Sequence, residues 1–364
     1  MAFETGTATG RGDLLVKWFN FLQGSGWTAD VDYATDGQSP AWGILHRKDS
    51  RTGASPIDSD AHEYVNLHCG FAVVGGDSDG DIINMIPMRE YSSGEPQDAT
   101  EVATSTSSYT DIGGTNRHIA VVFPSSPFER YWFFADDFYA HAVVEWASGF
   151  FRHFGMGQLN KIGRWLGGEY YYGFRWYQST TQIDELSGVR HKAGLDSITT
   201  DQGEQGGPVL YGRLENGDPF PHLAGRQSPE SAWHVMSGEI DSGGGIGPDA
   251  DGRDRGAISG MGFRSGAHFP LFNLGPSSFN GYRPMFPIYL EAADASVTPD
   301  SRVPLGTAPD IRGIHMGNNL LPGDEFQVGS DTWIAFPLVR RVEVRLENNI
   351  EDSGLVGLAY KKIT

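Results

Sequence analysis

With 364 residues, the chain exceeds one ordinary small domain, and length alone predicts two or three structural units. A formal net charge of −19 excludes a generic nucleic-acid or anionic-membrane surface, because such partners need clustered Lys and Arg to neutralise phosphates. The single cysteine, Cys69, excludes an intrachain disulfide and a structural zinc site built of cysteines.

A hydrophobic fraction of 39% with 12% aromatic residues is enough for real cores, and Gly 49 with Pro 20 favours many short strands and turns over long helices. No stretch reaches the roughly 18 apolar residues a membrane span needs. The opening MAFETGTATGRGD lacks the basic and apolar regions of a secretion signal, so a soluble chain is expected.

The clearest helix is Asp13 to Leu22, where Leu14, Leu15, Trp18, Phe19 and Leu22 recur at three- and four-residue spacing. Thr9 or Gly12 would cap it, Asp13 suits its first turn and Gly24 its end. The helix is expected to lie on a sheet. Arg11-Gly12-Asp13 matches a cell-adhesion tripeptide, but three residues recur by chance and Asp13 already has a helical role. Trp27 opens an alternating strand.

Short strands follow from Trp42 to Arg89, chiefly Tyr64 to Val74 and Ile82 to Met88, and Cys69 is a small buried strand residue in them. The loop Gly75-Gly76-Asp77-Ser78-Asp79-Gly80-Asp81 has alternating carboxylates like the start of a calcium loop. It lacks the later glutamate and the following helix, so it reads as a solvated hairpin tip. Ser92 to Gly114 is a polar excursion before strand resumes at His118 to Phe123.

The most aromatic stretch runs from Tyr131 to Gly173. Ala140, Ala142, Val144 and Trp146 alternate with Tyr139, His141, Val143 and Glu145, which is a strand pattern. With turns at Asp136-Asp137 and Ala147-Ser148-Gly149, it predicts an antiparallel meander of Arg130 to Ala135, Phe138 to Trp146 and Phe150 to Met156. A second aromatic cluster, Tyr170, Tyr171, Tyr172, Phe174 and Trp176, lies just beyond.

Residues 178–260 read as loop, including Ser242-Gly243-Gly244-Gly245, which lacks the Lys and Ser/Thr of a phosphate loop. Met285 to Leu290 is an edge-type strand entered through proline. Phe326 to Val328 and Thr332 to Phe336 form a hairpin, Val342 to Leu346 alternates, and Leu355 to Ile363 is the last strand. No internal repeat of 20 to 50 residues is present.

Asp136, Asp137, Glu145 and Glu169 lie near aromatic residues, a combination glycoside hydrolases use, although Asp136-Asp137 already has a turn role. His141 and His153, with His118 or Asp137, are a conceivable metal set, but packing histidines are the commoner case. No nucleophile elbow, Walker loop or dinucleotide fingerprint is present. A non-enzyme with no catalytic residue, no metal and no cofactor is expected.

Three stretches carry a resemblance. FETGTATGRGDLLVKWFNFLQGSGWT at the start, FFADDFYAHAVVEWASGFFRHFGMGQLNKIGRWLGGEYYYG in the centre, and LLPGDEFQVGSDTWIAFPLVRR with LAYKKIT at the end resemble a poorly characterised group of virion structural proteins of tailed bacteriophages. The resemblance spans most of the chain and is weakest in loops such as 178–260. It implies a particle component of the tail (baseplate or tail tip) or neck, located in the virion and assembled in the host cytoplasm. It supplies no catalytic residues.

The expected fold is mainly β with an N-terminal helix: an α+β unit over 1–125, a central β unit with long loops over 126–290, and a C-terminal β unit over 291–364. Partners would be further copies in a cyclic homo-oligomer and other tail or neck proteins. Interface cores favour Tyr, Trp, Phe and Arg, so Arg152, Arg164, Trp165, Tyr170, Tyr171 and Tyr172 are the candidate subunit contacts. The alternative is a carbohydrate-binding or depolymerising tail-tip protein using the same aromatics as a sugar platform.

Overall fold

The computed structural model of the protein describes residues 2–33, 42–47, 67–77, 80–88, 119–123, 126–163, 165–173, 198–199, 205–206, 209–213, 233–235, 283–293, 302–317, 320–337 and 356–363. Arg164, His118 and the strand expected at Val342 to Leu346 lie outside these residues. The first half runs β1 (Ala2–Ala8), α1 (Arg11–Gly24), β2 (Thr28–Val31), β3 (Trp42–Arg47), β4 (Leu67–Asp77), β5 (Gly80–Met88) and β6 (Ile119–Phe123). The aromatic stretch supplies β7 (Phe128–Ala135), β8 (Tyr139–Ala147), β9 (Phe150–Gln158), β10 (Asn160–Lys161) and β11 (Leu166–Tyr172). Then come β12 (Ile198–Thr199), β13 (Gln205–Gly206), β14 (Val209–Arg213), β15 (Trp233–Val235), β16 (Met285–Ala293), β17 (Arg302–His315), β18 (Glu325–Val328), β19 (Asp331–Pro337) and β20 (Val356–Lys362). The protein is mainly β, with one N-terminal helix among the described residues. That helix is too short to cross a membrane.

The central sheet has the order β1-β7-β8-β9-β11-β14-β15, and the predicted meander is its middle. A five-stranded sheet β2-β3-β4-β5-β6 and a six-stranded sheet β10-β17-β20-β19-β18, with β16 on β17, complete the larger assemblies. Strand β1 pairs antiparallel with β7, and β10 with β17. The start of the chain is therefore hydrogen-bonded to its middle, and the middle to its last third.

Two-residue alternation divides the central meander between two cores. Tyr131, Phe133, Ala135, Ala140, Ala142, Val144, Phe154, Met156 and Tyr171 join α1 and the five-stranded sheet in one core. Trp132, Phe134, Tyr139, Val143, Phe151, Tyr170 and Tyr172 join β17, β19 and β20 in the other. Both faces are buried, although a one-faced sheet would explain the same alternation equally well.

Helix α1 buries Leu14, Leu15, Trp18, Phe19, Phe21 and Leu22. Trp18 meets Phe133 edge-on at 4.8 Å between ring centroids, and Phe19 meets Phe71 of β4 at 5.8 Å. The helix is thus wedged between two sheets. At roughly 1.5–3 kcal/mol per buried large apolar side chain, this packing outweighs the modest helix propensity of Trp and Phe. The cap differs from the expectation: Gly10 occupies the N-cap with no side-chain cap. Asp13 instead reaches back to accept from the Thr9 backbone N–H at 2.8 Å and pairs with Lys17 at 2.6 Å. Lys17 and that backbone contact hold the Asp13 carboxyl below its usual range.

Residues 178–260 are more than loop, because β14 and β15 extend the central sheet. Strand β17, at fourteen residues, has no counterpart in the sequence expectation, since Pro304, Gly306, Pro309 and Gly313 mask its pattern. Asp310 within it has φ 51°, an uncommon value for a non-glycine residue. Among the described residues strand β16 pairs only with β17, so Pro287 sits on an edge strand there, where its missing N–H costs little.

Candidate functional site

Most of the expected contact residues are interior. Tyr170, Tyr171 and Tyr172 are fully buried, Trp165 and Arg152 nearly so. Side chains enclosed in this way by their own chain offer little surface to a neighbour. Arg152 places its guanidinium 5.4 Å from the Trp146 ring centre and donates to the Phe151 carbonyl at 3.2 Å. Burial pulls it down to about 9, still charged at neutral pH. Lys161 donates to the carbonyls of Trp165 and Gly167, both at 2.8 Å, pinning the turn that carries Trp165.

The four carboxylates considered for glycoside chemistry are dispersed among local tasks. Asp136 Oδ1 accepts from the N–H groups of Phe138 at 2.6 Å and Tyr139 at 2.9 Å, closing the β7–β8 turn. Burial raises its carboxyl to about 6 despite those two N–H groups, which favour the charged form. Asp137 pairs with Arg47, which also donates to the Gly26 carbonyl. Glu145 Oε1 accepts from Gly149 N–H at 2.8 Å in the β8–β9 turn. Glu169 is fully buried on β11.

His141 and His153 do not face each other: His141 stands opposite Gly155, and His153 opposite Val143. Both are buried in a polar thread between the central and six-stranded sheets. His153 Nε2 lies 3.0 Å from the Pro337 carbonyl, which can only accept, so that nitrogen carries the proton. His153 Nδ1 then accepts from the Tyr360 hydroxyl at 2.8 Å. Tyr360 accepts from Tyr172. The Tyr172 oxygen, 2.9 Å from His141 Nδ1, accepts from it in turn.

The proton order therefore runs from His141 through Tyr172 and Tyr360 to His153 and Pro337. Burial holds His141 down to about 3 and His153 to about 4, and raises Tyr172 and Tyr360, so all four are neutral at pH 7. Both histidines commit nitrogens to hydrogen bonds inside the thread, as packing histidines do. Glycines make room for the thread: a Cβ at Gly155 would lie 2.4 Å from the Ala140 oxygen and 2.7 Å from His141 Nδ1.

A different cluster has the geometry of a ligand set. His46 on β3 and His68 on β4 are direct cross-strand partners, so their rings share one face, 4.6 Å apart. The register of β2 against β3 shifts between Ala29 and Val31, which places Asp30 in a bulge beside them. Bulges re-aim side chains in this way. Asp30 Oδ2 lies 2.7 Å from His46 Nδ1 and 3.3 Å from His68 Nε2. All three side chains are largely covered but reach solvent, at 24% for Asp30, 21% for His46 and 9% for His68.

Sequence reasoning missed this set because its members lie 16 and 22 positions apart, and no metal motif has that spacing. The usable signal was the placement of His46 and His68 on neighbouring predicted strands. Comparison with protein-family models gives no match, and comparison with curated proteins gives none.

Proposed function

We propose that this chain is a structural subunit of a tailed-bacteriophage particle, at the tail or neck, that works by assembly and catalyses no reaction. One observation carries the reading: the three segments that resemble phage virion proteins form a single packed unit. The start supplies β1, which pairs with β7, and α1, whose Trp18 and Phe21 pack on Phe133. The end supplies Phe336, 4.7 Å from Trp132, and Tyr360, stacked on Phe134 at 5.0 Å. Segments far apart in sequence and alike in resemblance thus build one scaffold around the central sheet.

The sugar-platform alternative has little support, since Trp165 and Tyr170 to Tyr172 are buried. With those residues in the interior, subunit contacts are sought at exposed apolar side chains such as Ile162, Leu321 and Val328, and along β18, which holds Val328 and ends its sheet among the described residues. An open strand edge is a ready pairing surface.

Mass spectrometry of purified particles, joined to a cryo-EM map of tail and neck, tests the proposal. The expected result is density for this fold as a ring of identical copies. Absence of the chain from purified particles overturns it.

A further inference from the structure

We propose that Asp30, His46 and His68 form a binding site for one divalent transition-metal ion of the zinc type, with at least one coordination position left to solvent or a partner. This goes beyond the particle role, does not depend on it, and departs from the expectation of a metal-free chain. Among the described residues, these three bring one ligand atom each within 4.8 Å of one another. The donor set, two imidazoles and one carboxylate, suits zinc and its first-row neighbours and suits calcium or magnesium poorly.

The distances fit. Ligand bonds of about 2.0–2.1 Å in a tetrahedron place neighbouring donors roughly 3.3 Å apart. His68 Nε2 and Asp30 Oδ2 already have that separation, at 3.3 Å. His46 Nδ1 and Asp30 Oδ2, at 2.7 Å, need to part by only about half an ångström around an ion. The strands hold the donors in place: His46 and His68 are fixed by register, and the bulge turns Asp30 toward them. Two imidazole nitrogens aimed at one carboxylate oxygen form either a doubly hydrogen-bonded carboxylate or a metal site awaiting its ion. In the first case both nitrogens carry protons; in the second both present lone pairs, so binding requires neutral imidazoles.

The experiment uses the full chain, stripped with chelator and dialysed against zinc chloride, with metal measured by mass spectrometry. His46→Gln and His68→Gln are the comparison variants, and cobalt(II) is the spectroscopic substitute. The expected result is one zinc per chain, visible cobalt bands of a four- or five-coordinate site, and a melting temperature that rises with zinc. Each substitution should weaken binding beyond the 10–100-fold typical of outer-shell partners. Binding below one ion per chain, or binding unchanged in both variants, overturns the proposal. If the variants do not fold, wild-type protein is treated with diethyl pyrocarbonate with and without zinc. Protection of His46 and His68 by zinc supports the site, and equal modification overturns it.

Discussion

Two pairs of histidines on neighbouring strands meet opposite fates in this protein. His141 and His153 are fully buried between two sheets and take part in a chain of hydrogen bonds with Tyr172 and Tyr360. His46 and His68 lie nearer the surface of another sheet, and both direct a nitrogen at Asp30. The first pair is neutral because burial forbids its charge, and its nitrogens serve the fold. The second pair converges on a shared carboxylate, which is the geometry a cation can use. What separates structure from site is where the nitrogens point and whether water reaches them, and both are set by strand register.

The sharpest way to break the comparison is acid. His141 and His153 have folded values of about 3 and about 4, below the ordinary 6.5. The unfolded chain therefore binds protons first, and stability falls as pH drops from about 6.5 towards 4. Asp136, raised to about 6, acts in the opposite direction, since its folded form binds the proton more tightly between about 6 and 3.8. The net loss is on the order of 4 kcal/mol by pH 4, measurable as a shift in urea midpoint. A flat profile would mean that the buried pair is protonated in the folded state.

His153→Ala comes next. It leaves the Tyr360 hydroxyl and the Pro337 carbonyl without their partner and opens a cavity, so a loss of about 3 kcal/mol is expected in equilibrium unfolding. His46→Ala in metal-free protein is the smallest effect. It removes one partly exposed pair and should cost under about 1 kcal/mol in the same measurement. A loss at His46 equal to that at His153 would show that the outer pair is structural after all.

Much of the architecture was legible in the sequence. The meander of β7, β8 and β9, the helix α1 and the hairpin of β18 and β19 follow from alternation, three- and four-residue spacing and turn residues, all of which are local signals. Strand β17 escaped because its prolines and glycines erase alternation, and it is recognisable only through its partners β16 and β20. The tyrosines of β11 were legible as an aromatic cluster but neither as strand nor as interior, since Gly167 and Gly168 interrupt the pattern and Tyr is equally at home in a core and at an interface.

The sequence by itself determined that the chain would be β-rich, that its single thiol could form no internal disulfide, and that the aromatic stretch would be central. It did so because charge, composition and two-residue periodicity are properties of neighbouring positions. Only the tertiary structure decided that both faces of the central sheet are covered, that the tyrosine cluster is core, and that Asp30, His46 and His68 meet. Those outcomes depend on which strands pair, in what register and with which layer above them. Pairing is a long-range choice, made where the summed burial of distant segments outweighs the entropy of bringing them together.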